Sequence, residues 1–410
     1  MKLRPLVHLC LISQILFGCS DEQAVDPLSD LQLVRSHPSD LPLPGLSGEW
    51  FDRFTRGDAL FERAFRPAQG LGPVFIRQSC NSCHASDARG PGVVRKMVVV
   101  ESDGRTPASD QSRLPYGHTV RPQLAAGAQM GVTVPDDHDD ILVTKRDPPA
   151  VFGRGYLEAV MDAEIMRVEA EQADGGIVSG RINWVQYNSE SNPDQRFHAY
   201  THGERLVGRF GLKARIASLD EFAADAFQGD MGITSELRPF ELPNPAGADD
   251  DLPGIDLDSE MLNSVADYMR LLALPARLPD SEDPRGKALF AQAGCADCHV
   301  PQLHTRADYP IEALADVDAP LYTDMLLHDM GAEFSDGLPE YDADASEWRT
   351  PPLIGLHHIR RYLHDGRAST LEEAVEMHSG SGSEAEYAVA RYNDLAATDR
   401  ATLVRFVSAL

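Results

Sequence analysis

The sequence predicts a mainly α fold made of two halves, and three observations support that prediction. The chain has 410 residues, of which 42% are hydrophobic, and this is enough to build two domains with buried cores. One five-residue pattern of cysteine and histidine occurs twice, at 80–84 and at 295–299. Apolar residues recur at helical spacing ahead of each copy, and a stretch dense in proline, glycine and aspartate, 241–258, separates the halves.

Each copy of the pattern has the spacing of an attachment site for c-type haem. Two thiols from adjacent turns can form thioethers to the haem vinyl groups, and the imidazole of the next residue can then ligate the iron. A redox-active cysteine pair and a zinc site are the alternatives, but a zinc site needs its thiols together rather than about 200 residues apart. We therefore expect two covalently bound haem c groups. Their residues are Cys80, Cys83 and His84 in the first copy and Cys295, Cys298 and His299 in the second.

The patterns around these motifs predict where the domains lie. Helical periodicity runs through 50–65 and 261–272, and a capping box at Thr370 opens a helix that continues to Met377. We expect an N-terminal cytochrome c-like domain and a C-terminal one, each around one haem. Their predicted ranges are 49–240 and 259–410, with 241–258 as the linker.

The start of the chain resembles an export signal. Lys2 and Arg4 precede a short apolar segment, and Leu-Phe-Gly-Cys follows at 16–19. This arrangement is typical of a lipoprotein signal peptide over 1–18, after which Cys19 carries the lipid; an ordinary signal peptide is the alternative. Residues 19–48 read as a tether.

The residue after the lipidated cysteine predicts where the protein is sorted. Ser20, rather than Asp, stands there, which favours the outer membrane in Gram-negative bacteria. We therefore expect a periplasmic protein that is lipid-anchored to a bacterial membrane, the outer one. No apolar run reaches the about 18 residues that a membrane span requires.

The charge balance excludes one class of partner. Lys and Arg number 37 and Asp and Glu number 64, which gives a formal net charge of −27. Proteins that bind nucleic acids by neutralising phosphates carry the opposite balance, so we expect no nucleic-acid partner. An acidic surface is compatible with a basic electron carrier.

Longer motifs resemble the bacterial dihaem cytochrome c peroxidase/MauG superfamily. Within it, the chain is most similar to the dihaem oxidoreductase and peroxidase family, also labelled predicted thiol oxidoreductases. The resemblance covers roughly 50–410. The motifs are Gly-Leu-Gly-Pro at 70–73, Gly-Arg-Phe-Gly at 208–211, Asp-Met-Gly-Ile-Thr-Ser at 230–235, Leu-His-Asp-Met-Gly at 327–331, Arg-Thr-Pro-Pro-Leu-Ile-Gly-Leu at 349–356, Tyr-Leu-His-Asp-Gly-Arg-Ala at 362–368 and Thr-Leu-Glu-Glu-Ala-Val at 370–375.

The resemblance implies that the two haems have different roles. One haem, usually the C-terminal one, is six-coordinate and transfers electrons, while the other activates peroxide. For the second haem it implies His299 as proximal ligand and His378 as distal ligand, with Met377 as the alternative. For the first haem His84 is proximal, and the sixth position stays open. Candidates at plausible distances along the chain are Met97, His118, Met130 and His138.

Two further residues are candidates for catalysis by the same resemblance. Asp230 matches a carboxylate that moves protons on the peroxide, or else it is an ordinary Asp at a helix end. His364 matches the histidine near the peroxide-binding haem, or else it is a structural hydrogen-bonding residue. The chain also departs from the related peroxidases at two positions. Phe222 occupies the position of their distal-pocket glutamine, and Leu212 occupies the position of their tryptophan between the haems.

Calcium is a further possibility by resemblance. Related enzymes hold the ion between their domains, largely through backbone carbonyls. The equivalent residues here are 359–361, with Asp147 opposite.

Two classes of function follow. The first is a peroxidase-like enzyme, which takes electrons from a small soluble carrier, a cytochrome c or a cupredoxin, and passes them to hydrogen peroxide or to another substrate. The second is a non-catalytic dihaem electron-transfer cytochrome.

Overall fold

The computed structural model describes residues 41–85, 92–100, 113–125, 127–136, 139–175, 177–186, 192–197, 205–245 and 254–410. The predicted signal peptide, Cys19 and His138 lie outside these residues. None of the helices in the described part has both the length and the apolar character to cross a membrane. The described α-helices are α1 (Gly48–Glu62), α2 (Arg154–Ala159), α3 (Asp162–Ala173), α4 (Leu219–Ala226), α5 (Ser259–Leu271), α6 (Pro284–Gln292), α7 (Leu371–Met377), α8 (Glu386–Asp394) and α9 (Ala397–Ser408).

Helix α1 crosses α5 at a glycine. A Cβ atom on Gly57 would lie 2.1 Å from the carbonyl oxygen of Ser264 and 2.6 Å from the Cβ atom of Tyr268. On either side of that crossing, the rings of Phe54 and Phe61 each lie 5.1 Å from the Tyr268 ring. The absence of a side chain at position 57 therefore lets the two backbones approach and brings the aromatic rings together.

The second half repeats this arrangement. Helix α6 crosses α9 at Gly286, where a Cβ atom would lie 2.5 Å from the Cβ atom of Phe406. The Phe290 ring packs edge-on at 5.7 Å from Phe406 and at 5.6 Å from Tyr322. Each half thus has a glycine-bearing helix that precedes its cysteine–histidine motif and crosses a later helix at an aromatic residue.

Helix α5 packs on α1, a helix of the first half of the chain. The main apolar core includes residues from Leu43 to Ile354 and runs across the predicted linker, whereas a smaller core of the second half includes Leu289 and Leu410. The boundary at 241–258 stays a prediction as a linker. Helix α5 comes after the predicted linker and packs on α1, so this contact joins the two predicted domains.

The prediction of a mainly α fold is confirmed only in part. In the described residues, short strands pair as two-stranded antiparallel sheets, β1 with β3, β2 with β4, β5 with β6, β7 with β8 and β9 with β10. The β2–β4 ladder pairs Val94 with Arg146 and Val99 with Ile141. The strands are β1 (Val74–Phe75), β2 (Val94–Val99), β3 (Gln123–Leu124), β4 (Ile141–Arg146), β5 (Trp184–Val185), β6 (Leu206–Val207), β7 (Leu303–His304), β8 (Asp318–Ala319), β9 (Leu327–Asp329) and β10 (Glu347–Arg349).

The predicted capping box at the start of α7 is confirmed. The hydroxyl of Thr370 accepts a hydrogen bond from the backbone amide of Glu373 at 3.1 Å, and the Glu373 carboxylate accepts one from the Thr370 amide at 3.3 Å. Two of the unpaired amides at the helix N-terminus are satisfied in this way. The helix that follows ends at His378.

Replacing Gly57 by alanine should destabilise the first half. The added methyl group meets backbone atoms of α5 that cannot move independently, so we expect the free energy of unfolding to fall by about 1–3 kcal/mol in chemical denaturation. Gly48→Ala in the same helix is the matched control, because a Cβ atom there meets nothing within 4 Å. A Gly57→Ala protein as stable as the Gly48→Ala protein would contradict the close crossing.

Candidate haem sites and the charges between them

The imidazole of His299 is oriented by a backbone carbonyl. Its Nδ1 atom lies 3.0 Å from the carbonyl oxygen of Tyr322. Burial lowers the pKa of His299 to about 4, although that hydrogen bond works to raise it, so the ring is neutral near pH 7. A neutral imidazole that donates from Nδ1 has its lone pair on Nε2, which is the form that ligates a metal.

The structure brings His378 to His299. The Nδ1 atom of His378 lies 2.6 Å from the carbonyl oxygen of Ala374, one turn earlier, which again directs Nε2 outward. His378 is close enough to His299 for its charge to contribute to the lowered pKa of that ring. Met377, the alternative ligand, is 37% exposed. Of the two neighbours, His378 is the less exposed and is therefore the better candidate to ligate the same iron as His299.

The first motif has the same kind of neutral histidine. Burial, and after it the charge of Arg154, lower the pKa of His84 to about 4, while the Pro149 carbonyl works in the opposite direction. The Phe61 ring lies 6.2 Å from the His84 ring. All four cysteines of the described motifs are thiols rather than disulfides, as attachment to haem requires. Their numbers are Cys80, Cys83, Cys295 and Cys298.

Three of the four candidates for the sixth ligand of the first haem, Met97, Met130 and His118, lie in the described residues, and His138 lies outside them. Met97 is 2% exposed and belongs to an apolar cluster with Val74 and Val99, and Met130 is 56% exposed. The backbone of His118 accepts a hydrogen bond from the Met97 amide at 2.8 Å, as part of the strand pairing. These environments are those of packing and surface residues.

Asp230 lies beside the first motif, in a π-helical turn over Phe227–Met231. Such turns are frequent at functional sites. Its carboxylate is near enough to Cys83 to help raise the pKa of that thiol to about 11, after burial as the larger cause. Burial raises the pKa of Asp230 itself to about 6, and Lys96 counteracts this. Asp230 can therefore gain and lose a proton near neutral pH.

His364 is held by ring stacking. Its ring lies 3.8 Å from that of Trp348, with an angle of 15° between the planes, and the indole donates a hydrogen bond to the carbonyl of Phe334 at 2.9 Å. Burial lowers the pKa of His364 to about 4, although Asp365 works to raise it. His364 is accordingly a neutral ring in a fixed orientation.

A buried charge cluster connects the two catalytic candidates. Arg146 pairs with Asp336 and with Glu340, in both cases at 2.6 Å. At one side of the cluster, Lys96 counteracts the raised pKa of Asp230; at the other, Asp336 and Arg146 act on His364. The structure thus brings Asp230 and His364 to opposite sides of one cluster.

Trp348 was not singled out from the sequence. The strand β10 that carries it pairs with β9, and the next residue, Arg349, donates its backbone amide to the carbonyl of Leu212 at 2.9 Å. Leu212 is the position at which the resemblance leads us to expect tryptophan. The indole of Trp348 therefore lies one residue away from the residue that contacts Leu212. Lys213 places its ammonium group 4.3 Å from the ring centre. Phe222 stacks on Phe210 at 5.8 Å.

The candidate calcium position carries a positive side chain. Asp147 forms an ion pair with Arg361 at 3.2 Å, and its amide donates to the carbonyl of His364 at 2.8 Å. The guanidinium supplies the charge that a cation would bring to this carboxylate. The structure therefore lends no support to calcium here.

A second cluster that the sequence did not reveal surrounds His328. Its Nε2 atom lies 2.8 Å from Asp324, its Nδ1 atom 3.0 Å from Glu384, and Cys298 Sγ is 3.8 Å away. Burial works to lower the pKa of His328, but the bond to Asp324 and the other partners raise it well above its usual value. Because Cys298 is needed for haem attachment, we interpret this cluster as a support for the second motif. The motif at 327–331 was its only signal in the sequence.

The chain belongs to the family described as "Di-haem oxidoreductase, putative peroxidase", whose model matches residues 35–103 and 126–410. The predicted resemblance is thereby confirmed, and with it haem as the cofactor of the family. The cytochrome-c peroxidase IdrP1 of Pseudomonas sp. (strain SCT) is 30% identical over 156 residues, which cover 32% of this chain and 40% of that protein. The chain thus matches less than half the length of this relative.

Two solved structures are similar over most of their length. Hydrazine synthase from Kuenenia stuttgartiensis covers 98% of this chain and is covered in full, at 15% identity and a TM-score of 0.38. A MauG-like protein associated with microbial copper homeostasis covers 92% of this chain over 93% of its own length, at 14% identity and a TM-score of 0.40. Similarity at this level carries no argument about fold or activity.

The ion pair between His328 and Glu384 should make stability depend on pH. Burial works to raise the pKa of Glu384, but its bonds to His328 and to the Ser179 amide lower it to about 2. A lowered carboxyl pKa stabilises the fold above the unfolded value of about 4.5, and the contribution is lost as pH falls toward 2. We expect Glu384→Gln to cost on the order of 2–3 kcal/mol at pH 7.

The difference between the two proteins should shrink as the pH falls below about 4.5, because the wild-type carboxyl group then becomes neutral as well. Chemical denaturation at several pH values measures this difference. Glu386→Gln, at an exposed site two residues further along, is the control and should show no such trend. A constant difference between wild type and Glu384→Gln down to pH 2 would refute the pairing.

Proposed function

We propose that this protein is an exported dihaem c-type oxidoreductase of the peroxidase kind. The observation that carries the proposal is the pair His299 and His378, whose Nδ1 atoms are both taken by backbone carbonyls, together with a first cysteine–histidine motif that has the acidic side chain of Asp230 near it. Two haems, when attached, supply one-electron redox chemistry and an iron position at which peroxide can react. Family membership supports the oxidoreductase class.

In this proposal the chain binds and orients the two haems through its motifs. Cys80 and Cys83 hold the first haem and Cys295 and Cys298 the second, as thioethers. His84 would provide a ligand to the first iron, at which substrate would react. His299 and His378 would both ligate the second iron, which suits a haem that only transfers electrons. The fit rests on three half-buried imidazoles whose pKa values are lowered by burial, so that each is neutral near pH 7.

Asp230 is proposed to handle protons at the first haem. Peroxide reduction requires a proton to leave one oxygen and reach the other, and a carboxyl group with a pKa near 6 can accept it and return it. His364 stacks on Trp348, and we propose that its neutral ring positions the substrate through a hydrogen bond.

Electron supply and location complete the proposal. We infer a small soluble donor, a cytochrome c or a cupredoxin, which the net charge of −27 would attract if its surface is basic. Export and a lipid on Cys19 would place the protein in the periplasm at the outer membrane, where c-type haem is attached and such donors occur. Hydrogen peroxide is the proposed oxidant.

His378→Ala should open the second iron while leaving haem attachment intact. We expect two haems per chain by mass spectrometry and a change of one haem from low spin to high spin, because a methyl group cannot ligate iron. Absorbance and electron paramagnetic resonance spectra report the change. Met377→Leu is the matched control at the neighbouring exposed residue and should retain the wild-type spectrum. A fully low-spin His378→Ala protein would show that another residue is the ligand.

Asp230→Asn should lower peroxide turnover without changing either haem. General acid–base groups contribute typically 10²–10⁴-fold, so we expect a loss of kcat of about 100-fold or more. In the wild type, kcat/KM should rise as pH increases through about 6, where the carboxyl group ionises, and this limb should vanish in the variant. Stopped-flow kinetics measure both. Asp230→Glu should restore part of the rate.

A contrary result would favour the second class of function. If the wild-type protein with two haems does not react with hydrogen peroxide in any redox state, it is an electron-transfer cytochrome, and Asp230→Asn will then change nothing.

A further inference from the structure

Two arginines are buried without an acidic partner. Arg154 is 5% exposed and Arg349 is 4% exposed. The guanidinium of Arg154 donates only to the carbonyl of Ala150, and that of Arg349 donates to the carbonyls of Gly211, at 3.3 Å, and of Thr350, at 2.9 Å. Within the part of the chain that the structure describes, one terminal nitrogen of each, Nη1 of Arg154 and Nη2 of Arg349, has no hydrogen-bond partner.

This arrangement differs from that of three other buried arginines in the described residues, although Arg121 likewise bonds only to backbone carbonyls. Arg146 pairs with Asp336, Arg209 with Asp162 and Arg270 with Glu158. A guanidinium stays protonated in proteins, so burial without a counter-charge is costly. Arg154 and Arg349 also act on each other as like charges, which adds to that cost. An anion between them would remove both penalties.

Backbone contacts tie each arginine to a different haem motif. Arg154 binds the carbonyl of Ala150, which directly follows the Pro149 carbonyl that acts on His84. Arg349 binds the carbonyl of Thr350, and that same carbonyl accepts the hydroxyl of Thr323, 2.6 Å away.

Thr323 in turn directly follows Tyr322, whose carbonyl orients His299. The hydrogen bonds therefore connect Arg154 to the segment that follows the carbonyl acting on His84, and Arg349, through Thr350 and Thr323, to the segment that orients His299.

We propose that Arg154 and Arg349 form one carboxylate-binding site between the two haems, and that haem propionates occupy it. The inference rests on the proposed dihaem function. Each haem carries two propionate carboxylates, and guanidinium groups bind carboxylates through paired N–H donors better than any other side chain does. Burial lowers the pKa of both guanidinium groups, to about 9 for Arg154 and to about 10 for Arg349, although the charge of Asp324 works to raise that of Arg349. Bound propionates would supply the missing charge and link the two haems electrostatically.

The test measures the reduction potentials of both haems in the holoprotein. Arg154→Gln and Arg349→Gln each remove a positive charge beside the propionates, so ferric haem is favoured and the potential should shift downward, for at least one haem in each variant. Arg154→Lys and Arg349→Lys keep the charge and should recover most of the shift. Arg209→Gln is the matched control, because it removes a buried arginine that Asp162 already neutralises. It should leave both potentials unchanged.

Haem content separates this inference from the proposed function. Every protein is first assayed for covalent haem, and a wild type with fewer than two haems would refute the dihaem proposal itself. With two haems present, glutamine variants whose potentials match the wild type would overturn the arginine proposal alone.

A crystal structure of the wild-type holoprotein tests the same point without any variant. It should show a propionate oxygen within hydrogen-bonding distance of both guanidinium groups. Water alone or a free anion there would contradict the proposal, as would a change of the wild-type potentials on titration with acetate.

Discussion

Hydrogen bonds from imidazole Nδ1 atoms to backbone carbonyls are the interaction on which the second haem site depends. Tyr322 provides the carbonyl for His299 and Ala374 the one for His378. Each bond selects one tautomer and fixes the plane of the ring, so both Nε2 atoms are available. The rest of this half holds those carbonyls in place. The ring of Tyr322 packs on Phe290 in the crossing of α6 with α9, and the α7 capping box fixes the turn that ends in Ala374 and His378.

The crossings of α1 with α5 and of α6 with α9 show why the two halves resemble each other although their sequences between the motifs differ. A haem leaves little space for other contacts, so the helix before each motif must pack closely on a later helix. In both halves a glycine permits this approach, and an aromatic ring from the later helix fills the space beside it.

The sequence was informative where chemistry requires a fixed spacing and uninformative where contacts join distant segments. The two cysteine–histidine motifs, the capping box at Thr370 and the family were all predictable, because each is a local pattern. The pairing of β2 with β4 was not predicted, because 41 residues (100–140) separate the two strands and neither strand alternates apolar with polar residues. Trp348 beside Leu212, and Glu384 on His328, join residues 56 or more apart, so no spacing rule could reveal them.

The two catalytic candidates differ in what they can do near neutral pH. His364 is stacked in a buried position that lowers its pKa to about 4, and a ring of this kind can donate or accept a hydrogen bond but does not hold an extra proton at pH 7. Asp230 is buried as well, yet burial acts in the opposite direction on an acid and raises its pKa to about 6. In the proposed mechanism, Asp230 is therefore the group that accepts and returns the proton of the peroxide. The cluster of Lys96 and Arg215 beside it limits this rise, because without those charges a buried carboxyl group would stay protonated and could not act as the base.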